Sequence, residues 1–143
     1  MLLLALALVA GQRWLPEWRE ARREMLPAPP CNLHRSICVI SLPGGKPLSL
    51  AISPRPIAPA RPLVVEVATG AAVERVAIEF AGVAMEMGLN RVELQRVAAG
   101  RYRGDASLPI CTTGRMEWQA VLEIELGGRL LGLPIRFFTP EAP

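Results

Sequence analysis

Three polar residue types are nearly missing from this chain of 143 residues: His34, Lys46 and Asp105 are its only histidine, lysine and aspartate. A single histidine removes most general acid–base arrangements and any histidine-rich metal site. Nucleophilic use of Cys111 would need a base, and only His34 offers one. No nucleophile elbow occurs, and Gly44-Gly45 lacks the rest of a phosphate loop. An enzyme is therefore not expected. Aromatic residues make up only 5% of the chain and the net charge is +3, carried by scattered arginines. Nucleic-acid binding needs a clustered basic face, commonly with stacking rings, so it is not expected either. Fourteen prolines and twelve glycines exclude long helices beyond the first thirty residues. No apolar run reaches the roughly 20 residues of a spanning helix.

What is present at the N-terminus is an address. Residues 1–11, MLLLALALVAG, form an uncharged apolar run. Its length suits an export signal or a short anchor. It lacks a basic segment before it and a small-x-small cleavage site after it, so an uncleaved anchor is the preferred reading. Residues 12–30 read as a helical stalk followed by the stiff linker Leu26-Pro-Ala-Pro-Pro30. Trp14, Trp18 and Met25 suit either a membrane surface or a solvated stalk. The folded domain is expected over 31–143, in the periplasm and held to the inner membrane.

From residue 34 onward the apolar pattern has period two, broken by turn residues. It predicts strands near 35–42, 47–53, 62–69, 73–84, 90–97, 101–108, 115–126 and 129–138. Pro43-Gly-Gly-Lys46 and Gly127-Gly128 mark hairpins. Pro54-Arg-Pro-Ile-Ala-Pro59 is an extended connection. Glu66, Glu74, Glu79, Glu93, Glu117, Glu123 and Glu125 fall mostly at outward positions, where they read as solubilising. Seven or eight such strands suggest an all-β protein with an immunoglobulin-like β-sandwich behind an N-terminal apolar and helical anchor segment. A small barrel is the alternative.

Sulfur is concentrated between Val83 and Trp118, which holds Met85, Met87, Cys111 and Met116. Thioether and thiolate donors select Cu(I), and Met85 and Met87 on a regular strand would share a face. The same methionines beside Trp118 also suit one end of a hydrophobic core. Both readings stand. In an exported chain two of the three cysteines should pair. Cys38 with Cys111 is the first expectation, tying the first strand to the loop before the seventh. Cys31 with Cys38, closing a local loop, is the second. Cys31-x-x-His34-x-x-x-Cys38 lacks the partners of a zinc site, and His34 reads as a surface or capping residue.

The order Met85-x-Met87-Gly88, Gly100-Arg-Tyr-Arg-Gly104, Leu108-Pro and Gly114-Arg-Met116-x-Trp118 resembles that of the YtkA-like and FixH-like extracytoplasmic domains. The similarity spans roughly residues 47–138. It implies an immunoglobulin-like sandwich with a non-enzymatic accessory role in copper handling or oxidase assembly, acting in a bacterial membrane complex. Histidines common near the methionines of copper-binding relatives are missing here, and the apolar leader is shorter than a FixH-like spanning helix. The functional expectation is thus a membrane-anchored Cu(I)-binding accessory domain. The alternative is a protein–protein module with the Met/Trp cluster in its core.

Overall fold

The computed structural model describes residues 22–84, 90–110 and 115–139. These hold ten strands: β1 Glu24–Met25, β2 Cys38–Ser41, β3 Pro47–Ser53, β4 Leu63–Thr69, β5 Val73–Gly82, β6 Asn90–Glu93, β7 Gln95–Ala98, β8 Arg101–Ala106, β9 Met116–Leu126 and β10 Arg129–Thr139. They make two five-stranded sheets, ordered β1-β10-β9-β5-β6 and β2-β3-β4-β8-β7. All pairings are antiparallel except β1 with β10. Among the described residues no helix is long and apolar enough to cross a membrane. The apolar segment 1–11 lies outside them.

Alternation drives the layering. In β3, Leu48, Leu50 and Ile52 are buried while Pro47 and Ser53 are exposed. In β9 the even-numbered Met116, Trp118, Ala120, Leu122 and Ile124 face inward. These join Val65 and Val67 of β4 and Ile78 and Phe80 of β5 in one core fed by both sheets. Burying a side chain of Leu or Phe size contributes roughly 1.5–3 kcal/mol, so these positions fix the register. Trp118 is fully buried, and its indole N–H donates to the Thr139 hydroxyl at 3.2 Å, which donates to the Met116 carbonyl at 3.3 Å. The ring is thereby satisfied in an apolar setting.

Both hairpin turns form as expected. Gly127 and Gly128 have φ of +58° and +74°, the paired positive values a two-residue hairpin loop requires. Three features differ from the sequence reading. The expected strand over 90–97 is two strands in different sheets, and Leu94 between them is a core residue whose N–H donates to the Val76 carbonyl at 2.9 Å. The period of two set by Val92 and Leu94 stops there: Arg96 stands where the next apolar residue would fall, and β7 is exposed throughout. The first expected strand begins at 38, because residues 32–36 turn, with the N–H groups of Arg35 and Ser36 on the Asn32 carbonyl. Finally, Glu24–Met25, read as stalk, pairs with Leu131 and Gly132 of β10. Pro134 explains why this pairing is short. It has no N–H to offer, so among the described strands none pairs with this side of β10 from there on.

The turn at 32–36 also decides the disulfide. It brings Cys31 back to a Cα–Cα distance of 5.5 Å from Cys38, and the two are bonded. The first expectation, Cys38 with Cys111, is thereby corrected: an extended strand over 35–42 would have held Cys31 away, and the turn removes that obstacle.

Candidate functional site

Of the four expected sulfur donors, only Met116 falls among the described residues. Met85, Met87 and Cys111 lie outside them. Met116 is 8% exposed and belongs to the core cluster beside Trp118. Its position is that of a packing residue. Among the described residues no group of three His, Cys, Asp or Glu side chains is placed to hold a metal.

The described flanks of the 85–89 and 111–114 stretches are nevertheless close together. The Val83 N–H donates to the Glu117 carbonyl at 3.0 Å, which fixes the chain entering the Met85–Met87 stretch beside the start of β9. The Asn90 side chain, where that stretch ends, donates to the Ser107 carbonyl at 2.9 Å, a few residues before Cys111. Both stretches therefore leave the fold at one end of the molecule.

Among the described residues, that end carries the most exposed aromatic ring. Phe138 pairs with Glu117, and Val83 bonds Glu117 from the other side, so the three lie in one row across the first sheet. Phe138 is 42% exposed, and Val83 and Ile110 are exposed as well. The Arg115 guanidinium lies 4.1 Å from the Phe138 ring centre, within cation–π range. Arg136 donates to the Gln119 side chain at 3.2 Å and lies 3.7 Å from Glu117. A shallow cavity of about 470 Å³ opens here, between Arg115, Arg136 and Phe138 on one side and Cys31, Asn32 and Pro56 on the other. It presents two guanidiniums above apolar walls, a combination that suits an acidic or aromatic segment of another protein.

His34 lines the same cavity but is fully engaged. Its Nδ1 accepts the Ile57 N–H at 3.0 Å, which leaves Nε2 to carry the proton and donate to the Phe138 carbonyl. The ring also packs edge-on against Phe137. One imidazole thus ties together the 32–36 turn, the proline-rich connection and the open edge of β10. It is a capping residue, as expected, with neither nitrogen left for a metal or a proton transfer.

A second polar cluster lies on the outer face of the first sheet. Arg91 makes two bonds to Glu123, at 2.9 and 3.0 Å, and one to Glu79 at 2.9 Å; Arg23 adds a bond to Glu79 at 3.0 Å and lies 3.6 Å from Glu123. The Glu123 hydrogen bond above all, then its charge and Glu79, holds the Arg91 guanidinium above its ordinary pKa against the opposing effect of burial. Its charge therefore persists wherever the protein is folded. Glu79 and Glu123 do point outward, as the alternation predicts, but they are ion-paired and largely buried instead of solvated.

The sequence reading did not single out Phe138, Arg115 or Arg136. A signal was present: Phe137 and Phe138 are adjacent on a period-two strand, so one ring must face outward. The chain matches no protein-family model, no curated protein and no solved structure.

Proposed function

We propose that this chain is an exported, membrane-anchored accessory domain with an immunoglobulin-like sandwich, and that it works by protein–protein contact within a bacterial membrane complex. The observation that carries this reading is the Phe138–Arg115–Arg136 surface, an exposed ring stacked by a guanidinium at a cavity mouth. Aromatic and arginine side chains dominate the energetics of such contacts. The Cys31–Cys38 disulfide supports an oxidising compartment such as the periplasm. The complete use of His34 in structural bonds supports a binding role over a catalytic one. The resemblance to YtkA-like and FixH-like domains points the same way. Replacing Phe138→Asp together with Arg115→Glu should abolish co-migration of the full-length chain with its membrane complex on native gels, while the melting temperature holds. Retention of co-migration by the double variant, or migration of the wild type as a lone chain, overturns this reading.

A second reading, Cu(I) presentation, is favoured by one specific observation. The disulfide takes up Cys31 and Cys38, leaving Cys111 as the remaining thiol, and the hydrogen bonds of Val83 and Asn90 hold the flanks of the Met85–Met87 and Cys111 stretches together. With Met116 serving the core, the donor set reduces to Met85, Met87 and Cys111. Competition against a Cu(I) chelator should show Met85→Leu with Met87→Leu weakening binding by about tenfold or more, the loss of roughly 1.4 kcal/mol. Identical titrations of wild type and variant remove the copper site.

A further inference from the structure

Arginines on or beside the first sheet are matched to glutamates. Arg23, Arg75, Arg91 and Arg129 each lie within 3.9 Å of a glutamate oxygen. The cavity mouth beside Phe138 departs from this pattern. Arg115 and Arg136 line it, and Arg55 adjoins its wall residue Pro56, with the Arg55 guanidinium donating to the Arg35 carbonyl at 3.0 Å. Against these three cations stands one described carboxylate, Glu117, 3.7 Å from Arg136. Arg115 and Arg55 have no carboxylate partner among the described residues. The Phe138 ring holds the Arg115 charge without satisfying its N–H fork, which is shaped to take both oxygens of a carboxylate. The Arg136 side chain is 61% exposed, so its ion pair with Glu117 is weak and exchangeable. Between the guanidiniums the walls are apolar, formed by Phe138, Pro56 and the buried Phe137.

We infer, building on the interaction surface proposed above, that this mouth receives an acidic, ring-bearing segment of the partner protein, with its carboxylates on Arg115 and Arg136 and its ring against Phe138. Charge complementarity selects the acidic chemistry. Guanidiniums left without carboxylates are tolerated in water, repel a basic partner and gain charge-assisted bonds from an acidic one. The same excess of positive charge, on a chain of net charge +3, sets this surface against a second copy of itself. The apolar walls select the ring. The cavity of about 470 Å³ has room for one large side chain, and Phe138 offers it an aromatic face. A bilayer presents its phosphates in a plane and leaves a concave apolar wall unfilled, so lipid headgroups suit the guanidiniums but not the cavity between them.

The test measures binding of the full-length chain in detergent micelles to a fluorescein-labelled random copolymer of glutamate and tyrosine. Arg115→Ala with Arg136→Ala should weaken binding by about tenfold or more, and Phe138→Ala by a similar factor. Arg96→Ala with Arg101→Ala, which removes equal charge from the exposed surface of β7 and β8, should leave it within about twofold. Glutamate homopolymer, which has no ring, should bind the wild type about tenfold more weakly than the copolymer; this comparison needs no variant to fold. Equal losses in the two arginine pairs, or equal binding of the two polymers, reduce the effect to general charge and overturn the inference. A preference of the wild type for phosphatidylglycerol over phosphatidylcholine vesicles that the Arg115 and Arg136 variant loses makes the site a membrane contact and overturns it too. Copolymer binding more than tenfold tighter in a chain ending at Thr139 names the chain's own Glu141 as the occupant, with the same consequence. Failure here is separable from failure of the interaction surface: a chain that co-migrates with its complex through Phe138 yet ignores the copolymer has a partner of other chemistry, whereas a wild type migrating alone has none.

Discussion

Single side chains in this protein are committed to structure to an unusual degree for a chain so poor in histidine, lysine and aspartate. His34 is the clearest case. Both of its nitrogens satisfy backbone groups from distant segments, Ile57 and Phe138, and its ring rests on Phe137. His34→Leu keeps the bulk but leaves an N–H and a carbonyl without their partner. Each such loss costs about 1–3 kcal/mol when the group is buried, and His34 is half-buried, so about 2 kcal/mol of unfolding free energy should vanish in a urea titration. Nitrogen NMR should find the Nε2–H tautomer in the wild-type ring. A loss below about 0.5 kcal/mol, the range of an ordinary surface change, would contradict the role assigned to it. Its reading as a surface or capping residue rested on its being the lone histidine. Its partners were not legible, since they lie 23 and 104 positions away.

At the scale of elements, strand and turn chemistry governs what the chain tolerates. Gly100, between β7 and β8, has φ +69°, and a Cβ there would come within 2.5 Å of the Thr69 carbonyl oxygen. The same glycine accepts the Thr69 N–H at 2.9 Å, so neither backbone can retreat without breaking that bond. Gly100→Ala should therefore lower stability by about 2 kcal/mol or more, combining left-handed strain with the clash. Gly70→Ala, in open space one turn away, should stay within about 0.5 kcal/mol. Paired thermal melts check both. Strands β3, β4, β9 and β10 were readable because alternation and glycine turns act locally. The break at Leu94 was not, because which sheet each half joins is set by the strands it meets, β5 for one and β8 for the other.

Over the whole molecule, the Cys31–Cys38 bond fastens the turn that carries His34 to the core, where the Cys38 side chain is buried. Its loop of eight residues implies about 2.5 kcal/mol from restriction of the unfolded chain. Cys31→Ala with Cys38→Ala should lower the unfolding free energy by that order. Mass spectrometry of unreduced, denatured protein should count one alkylated thiol per chain; two or more would refute the pairing. The Phe138 surface and the described flanks of the 85–89 and 111–114 stretches lie at the same end of the first sheet, where β5 and β10 end and β9 begins.

The sequence by itself determined the all-β class, most strand positions, both hairpin turns and the outward direction of the glutamates. Each of these follows from period-two alternation and the positive φ that paired glycines allow, which are properties of neighbouring residues. Only the tertiary structure decided the disulfide partner, the change of sheet at Leu94, the docking of Glu24–Met25 on β10, the burial of Glu79 and Glu123 under two arginines, and the stacking of Arg115 on Phe138. Those depend on which distant segments a surface meets. Burial and ion pairing are properties of that meeting, and no local pattern encodes them.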